Sequence, residues 1–278
     1  MRTVATALAA AFLLVTTAES HLPGGSPRVV VNLLPPPRPK FECASKNLNA
    51  TELRQLQEVL IKADTSRNAN DRSDTDLWPV KTHIHVVAAS WDELYRFQRE
   101  GVIDTQFSRL NRDYAQAGIK FSLRSSGWYV HPTWAHGQGE EQMQQALGKG
   151  GYDELNIYLI SSLKMKPGAP TTANGYCSIP ESTPSHKSLA FHGCMVMAET
   201  TIGDYKVDYG MGRVGVHEVG HWFGLLHTFE GGCVPDADGV PDTPPQYGQT
   251  DFCPASRPSC PGYPDLFAPY NIMDYAGE

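Results

Sequence analysis

Between positions 217 and 227 the chain reads His217-Glu218-Val219-Gly220-His221-Trp222-Phe223-Gly224-Leu225-Leu226-His227, and few stretches of this length leave a fold so little freedom. On a helix, side chains four apart lie on one face, a turn from each other. His217 and His221 can therefore offer imidazole nitrogens to one metal ion. Glu218 points to the adjoining rim of that face, where it can reach a water without being a ligand itself. His227 lies nearly three turns on, about 15 Å of rise, and joins the others only if the helix breaks. Gly224 supplies the break, because glycine accepts the positive φ that ends a helix and redirects the chain. Three imidazoles leave zinc an open fourth position, as in catalytic and not in closed structural sites. Val219, Trp222, Phe223, Leu225 and Leu226 also suit a core helix, and one helix can be both core and ligand platform. A bare His-Glu-x-x-His is weak evidence. With Gly224 and His227 at fixed offsets, a chance match falls to the order of 10⁻⁴.

The 278-residue chain begins Met1-Arg2-Thr3, runs apolar from Val4 to Val15 and ends that run in Thr16-Thr17-Ala18. A positive start, a short apolar core and small residues describe a secretory signal peptide over 1–18, too short for a membrane span of about 20 residues. The expected protein is secreted, extracellular and monomeric. A net charge of −7 argues against nucleic acid or an anionic membrane as its main partner. Export would place Cys43, Cys177, Cys194, Cys233, Cys253 and Cys260 in an oxidising compartment. Six cysteines admit 15 pairings, and spacing alone does not choose among them.

Residues 19–75 read as a pro-segment and linker. They comprise a Pro/Gly-rich stretch, a helix candidate capped at Asn49 with Leu53, Leu56 and Leu60 on one face, and a charged run from Thr65 to Asp76. From 76 to 278 the pattern is that of one catalytic domain. Strands are expected at Val80–Val87, Phe121–Leu123, Glu154–Ile160 and Met195–Met197. Helices are expected from Ile103 to near Gly118 and from Met211 to His227. The region beyond is rich in Pro, Gly and Asp and reads as irregular.

Downstream stands Asn271-Ile272-Met273-Asp274-Tyr275. The long histidine segment and this methionine-containing turn together resemble the metzincin zinc peptidases. Gly212 to Cys233, Asp242-Thr243-Pro244 and Asn271 to Tyr275 resemble the pappalysins, including cytophagalysin-like secreted enzymes known from fungi. The resemblance implies an α+β, metzincin-type zincin fold. Its parts would be a twisted mixed sheet, a backing helix, an active-site helix and a small irregular C-terminal subdomain. It implies Zn²⁺ on His217, His221 and His227, Glu218 as catalytic base, Met273 as an apolar floor and Tyr275 as a stabiliser of the tetrahedral intermediate. It implies a protein or peptide substrate, paired as a strand to a sheet edge near Met195 to Ala198. The disulfide Cys233–Cys260 follows from the same resemblance, with Cys253 alone or joined to Cys43, and Cys177–Cys194 is expected to staple the segment before the active-site helix. Cys43 itself has two readings, a disulfide partner or a latency ligand on the zinc.

Asp236, Asp238, Asp242 and Thr243 form an oxygen-rich cluster that suits Ca²⁺, a solvated acidic loop being the alternative. His83 and His85 share a strand face and are expected to be structural. Related enzymes continue past the methionine turn into a helix that shapes the substrate pocket, and Ala276 to Glu278 supply almost none of it. That leaves a truncated, inactive secreted binding protein as the rival of the endopeptidase. A zinc enzyme acting on another bond is the second rival.

Overall fold

Strand β1 (Trp78–Ala88) is buried without a break from Thr82 onward, where it has a neighbour on each side and a packed layer on each face. The computed structural model describes residues 43, 52, 55, 77–164, 172–181, 185, 187–188, 191–203, 210–250, 259–263 and 271–275, all within the unit Arg38–Glu278. The signal-peptide and linker expectations, most of the Asn49 helix and Cys253 lie outside the described residues.

Beside β1 run β2 (Ile119–Val130) and β3 (Leu155–Ile160), both parallel to it. After the two-residue strands β4 (Leu163–Lys164) and β5 (Thr172–Ala173), which pair with each other, come β6 (Gly175–Cys177) and β7 (Cys194–Met197). The main sheet has the order β2-β1-β3-β7-β6, with β6 antiparallel to β7 and the rest parallel. It is the mixed sheet of an α+β fold. The strand expected at the substrate edge, Met195 to Ala198, is instead an inner one: β7 lies between β3 and β6, so the outer strand is β6. Three residues with one large side chain give β6 too little pattern to be read from sequence.

Alternation along the strands divides the core. Ile84 and Val86, Leu155, Ile157 and Leu159, and Cys194 and Val196 face one layer; Val87, Tyr158, Ile160 and Met195 face the other. On the first face lie α1 (Trp91–Arg99), α2 (Val102–Tyr114) and, later in the chain, the helix that carries the histidines. On the second lies α3 (Glu140–Leu147), through Met143 and Leu147. Helix α1 starts at Ser90, whose side chain accepts from Glu93 N–H at 3.3 Å, while Glu93 accepts from Ala89 N–H at 2.7 Å. This near-capping box was present in the sequence as Ser90-x-x-Glu93. Helix α2 ends in a short 3₁₀ turn, Ala115–Ala117, and a left-handed Gly118.

His83 and His85 are side chains of the sheet. His83 lies between Ser125 Oγ at 2.7 Å and Glu154 Oε2 at 2.8 Å, and His85 bonds Asn156 Oδ1 at 3.0 Å. Ile157 is fully buried at the centre of the sheet. Ile157→Ala should lower stability by about 2–5 kcal/mol, seen as a lower urea midpoint at unchanged m-value.

Candidate metal centre

Helix α4 (Arg213–Trp222) joins the first core layer through Val214, Val216 and Val219, and its second half carries His217, Glu218 and His221, all buried. It stops where the histidine spacing requires. Gly224 has φ +93°, its N–H donates to His221 O at 2.9 Å, and Leu225 N–H donates to Gly220 O at 3.0 Å. This is the paired-bond closure that a left-handed residue makes at a helix end. It reverses the chain and returns His227 to the helix.

The three imidazoles and Cys43 Sγ form one cluster, with ligand atoms all within 4.8 Å of one another. His221 Nε2 lies 3.2 Å from His227 Nε2 and 3.4 Å from Cys43 Sγ. Tetrahedral zinc at ordinary bond lengths separates two nitrogens by about 3.3 Å and a nitrogen from a sulfur by about 3.6 Å. The donor set therefore fits zinc. The backbone fixes two of the tautomers. His217 Nδ1 donates to Ile272 O at 2.6 Å, and His221 Nδ1 donates to Leu225 O at 2.8 Å. A carbonyl only accepts, so each Nδ1 carries the proton and each Nε2 presents its lone pair. Burial holds His221 down to about 4 and His227 to about 3, and pushes His217 well below its usual value. All three are neutral, as metal ligands must be.

Glu218 is fully buried, and its Oε2 accepts from the Cys43 thiol at 3.3 Å. Tyr275 borders the cluster, its ring 5.0 Å from that of His227 and 5.8 Å from that of His217. Its hydroxyl accepts from Cys43 N–H at 3.3 Å and lies 3.4 Å from Cys43 O. Met273 is buried beneath α4, so close that a Cβ on Gly220 would sit 2.3 Å from its sulfur. Cys43 also forms an isolated parallel bridge to Gly175 on β6.

A buried network that sequence reasoning missed ties these parts together. Gln246 accepts from Thr228 Oγ1 at 2.8 Å and donates to Asp274 Oδ2 at 2.9 Å. Asp274 Oδ1 in turn accepts from Thr250 N–H and Tyr275 N–H. A glutamine inside a Gly/Pro loop gives no periodic signal by which it could have been found.

The acidic cluster behaves differently. Among the described residues, the histidine–cysteine group is the one place where three or more His, Cys, Asp or Glu ligand atoms converge. Asp236, Asp238 and Asp242 do not form such a group. Asp238 Oδ1 accepts from Val240 N–H at 3.1 Å, its carboxylate also bonds the Thr243 side chain, and burial raises its pKa. Disulfides join Cys177 to Cys194, across β6 and β7, and Cys233 to Cys260.

The family model Peptidase M43, described as Pregnancy-associated plasma protein-A, matches residues 144–278. An extracellular metalloprotease of Pyricularia oryzae is 35% identical over 241 residues, 86% of this chain and 82% of that protein. Extracellular metalloprotease 1 of Coccidioides posadasii is 38% identical over 198 residues, 71% of this chain and 69% of that protein. Mature mirolysin of Tannerella forsythia, solved in complex with a cleaved peptide, aligns over 73% of this chain and 85% of its own at 22% identity and a TM-score of 0.49.

His227→Ala should leave the far-ultraviolet circular dichroism unchanged and reduce zinc retained after dialysis to well below one per chain, measured by elemental analysis.

Proposed function

The chain belongs to the Peptidase M43 family, the pappalysins of the metzincin clan, and is a metalloprotease; from this we propose that it is a secreted zinc endopeptidase in which Glu218 is the catalytic base. The observation that carries the reading is the convergence of three neutral imidazoles with a buried carboxylate beside them. His217, His221 and His227 would hold the zinc, which when bound lowers the pKa of water and polarises the scissile carbonyl. Glu218 takes the proton of the attacking water and passes it to the leaving amine. Tyr275 donates its hydroxyl hydrogen to the oxyanion that develops on the carbonyl oxygen. Met273 supports the imidazoles from below.

The substrate lies extended along β6, the outer strand, where main-chain pairing gives affinity without regard to sequence. The bridge from Cys43 to Gly175 supports this, since an extended chain already runs there. Cys43 has a second role in this reading. Its thiol points at His221 and Glu218, and its backbone meets Tyr275, so it covers the ligand cluster, the base and the oxyanion donor together. Residues 19–75 are then a pro-segment that keeps the enzyme latent, with Cys43 as fourth zinc ligand, and 76–278 is the catalytic domain. Secretion is supported by the similarity to extracellular metalloproteases and by the N-terminal pattern. Among the described residues no helix is long and apolar enough to cross a membrane.

Cleavage of casein by the zinc-loaded protein should be abolished by a zinc chelator and restored by added zinc. Glu218→Ala should keep its zinc and lose about 10²–10⁴-fold in kcat; activity within about tenfold of wild type would remove the base from the mechanism. Cys43→Ala should cleave casein without prior proteolysis, whereas the unprocessed wild type should not; equal activity of the two would end the latency reading.

A further inference from the structure

Strand β6 meets Glu218 at a residue with no side chain. Alternation sends Cys177 into the layer that holds Val214, Val216 and Val219 of α4, and Tyr176 into the opposite layer with Met143 and Leu147. Position 175 therefore faces α4, two residues before Cys177 on the same side. A Cβ there would lie 2.7 Å from Glu218 Cγ, 2.8 Å from its Oε1 and 3.0 Å from its Cδ. Carbon atoms in good contact stand about 3.5–4.0 Å apart. Gly175 does not adopt the left-handed φ that favours glycine, so its backbone would accept another residue. What excludes a side chain is the carboxylate opposite.

Neither wall can easily yield. The strand is bonded to β7 through Cys177–Cys194, and Met197 N–H donates to Asn174 O at 2.9 Å just before Gly175. The helix is held from the other side, by His217 Nδ1 on Ile272 O and by the Tyr114 hydroxyl on Val216 O at 3.0 Å. Between them Glu218 is fully buried, with the Cys43 sulfur against its other oxygen. A methyl group at 175 would be relieved mainly by displacing the Glu218 side chain.

We propose that Gly175 is a positioning residue for the reaction: the space left by its missing side chain fixes where the Glu218 carboxylate stands. The proposal rests on Glu218 being the base. It separates two properties of β6. Its main chain pairs with an extended segment, here Cys43, and its inward face sets the geometry of proton transfer.

The test is a double-mutant cycle on the full-length, zinc-loaded chain, with Cys43→Ala in every member so that no thiol competes at the site. The members are the parent, Gly175→Ala, Glu218→Ala and the double variant, each assayed for kcat and KM on a peptide, zinc content and thermal midpoint. Gly175→Ala is expected to lower kcat by about a hundredfold, as roughly 1 Å of misplacement does. Its KM should stay within about twofold of the parent, since uniform substrate binding is untouched. Zinc should remain bound and the midpoint should fall. In the Glu218→Ala background, Gly175→Ala should change neither the residual rate nor the midpoint, because the group it strikes is gone. A kcat within about threefold of the parent would overturn the proposal, as would equal effects of Gly175→Ala in both backgrounds. Should Gly175→Ala fail to fold, a folded double variant supports the contact and an unfolded one refutes it. Failure of the base reading would show separately, as a Glu218→Ala enzyme that keeps its activity, while the midpoint cycle still tests the contact.

Discussion

Two backbone carbonyls govern the metal centre. Ile272 O and Leu225 O each take the Nδ1 proton of a histidine, and in doing so decide which nitrogen of that ring faces the cleft. Without them a buried neutral imidazole could present either nitrogen, and three rings at this spacing would have no common target. The carbonyls also come from two different places. Leu225 follows the helix end directly, whereas Ile272 belongs to the turn that brings Met273 under α4. Ligand orientation and the seating of the Met273 turn against α4 thus share a hydrogen bond.

The same coupling extends outward through Gln246. Its carbonyl oxygen holds Thr228, next to the third histidine, and its amide holds Asp274, between Met273 and Tyr275. Thr228 N–H also donates to Met273 O at 3.3 Å. A loop without regular structure becomes a rigid part of the site because its buried polar atoms find partners. Losing one partner would leave another group desolvated and unbonded, at a cost of about 1–3 kcal/mol. Irregular backbone here is over-determined, which is what a site with tolerances of tenths of an ångström needs.

What could be read in advance follows from the range of the interaction. The convergence of His217, His221 and His227 was legible because it depends on helix geometry and one glycine, all within a single turn and its cap. The long strands β1 and β3 and helix α2 carry periodic apolar residues and were legible for the same reason. Helix α1 is not among the expected helices, although Ser90 and Glu93 mark its start. Strand order was not legible: nothing in Cys194 to Met197 says that another strand lies outside it, and β6 is too short to announce itself. Nor does a run of aspartates reveal whether its carboxylates converge. Asp238 turned inward to bond Val240, a choice set by local loop geometry. Long-range placement of short or irregular segments leaves no mark on periodicity.

The brevity of β6 has a further meaning for the chain's own safety. An open strand edge offers N–H and C=O groups to any extended peptide, another copy of the same protein included. Most proteins guard such edges with proline, inward-pointing charge or a covering loop, and each of these would close this edge to a substrate as well. Here the ladder is limited to three residues and stapled to its neighbour by Cys177–Cys194. Such a rung is long enough to seat one peptide and too short to seed a growing sheet. In the proposed reading Cys43 occupies this edge until a substrate replaces it, and the short ladder gives sibling chains little on which to polymerise.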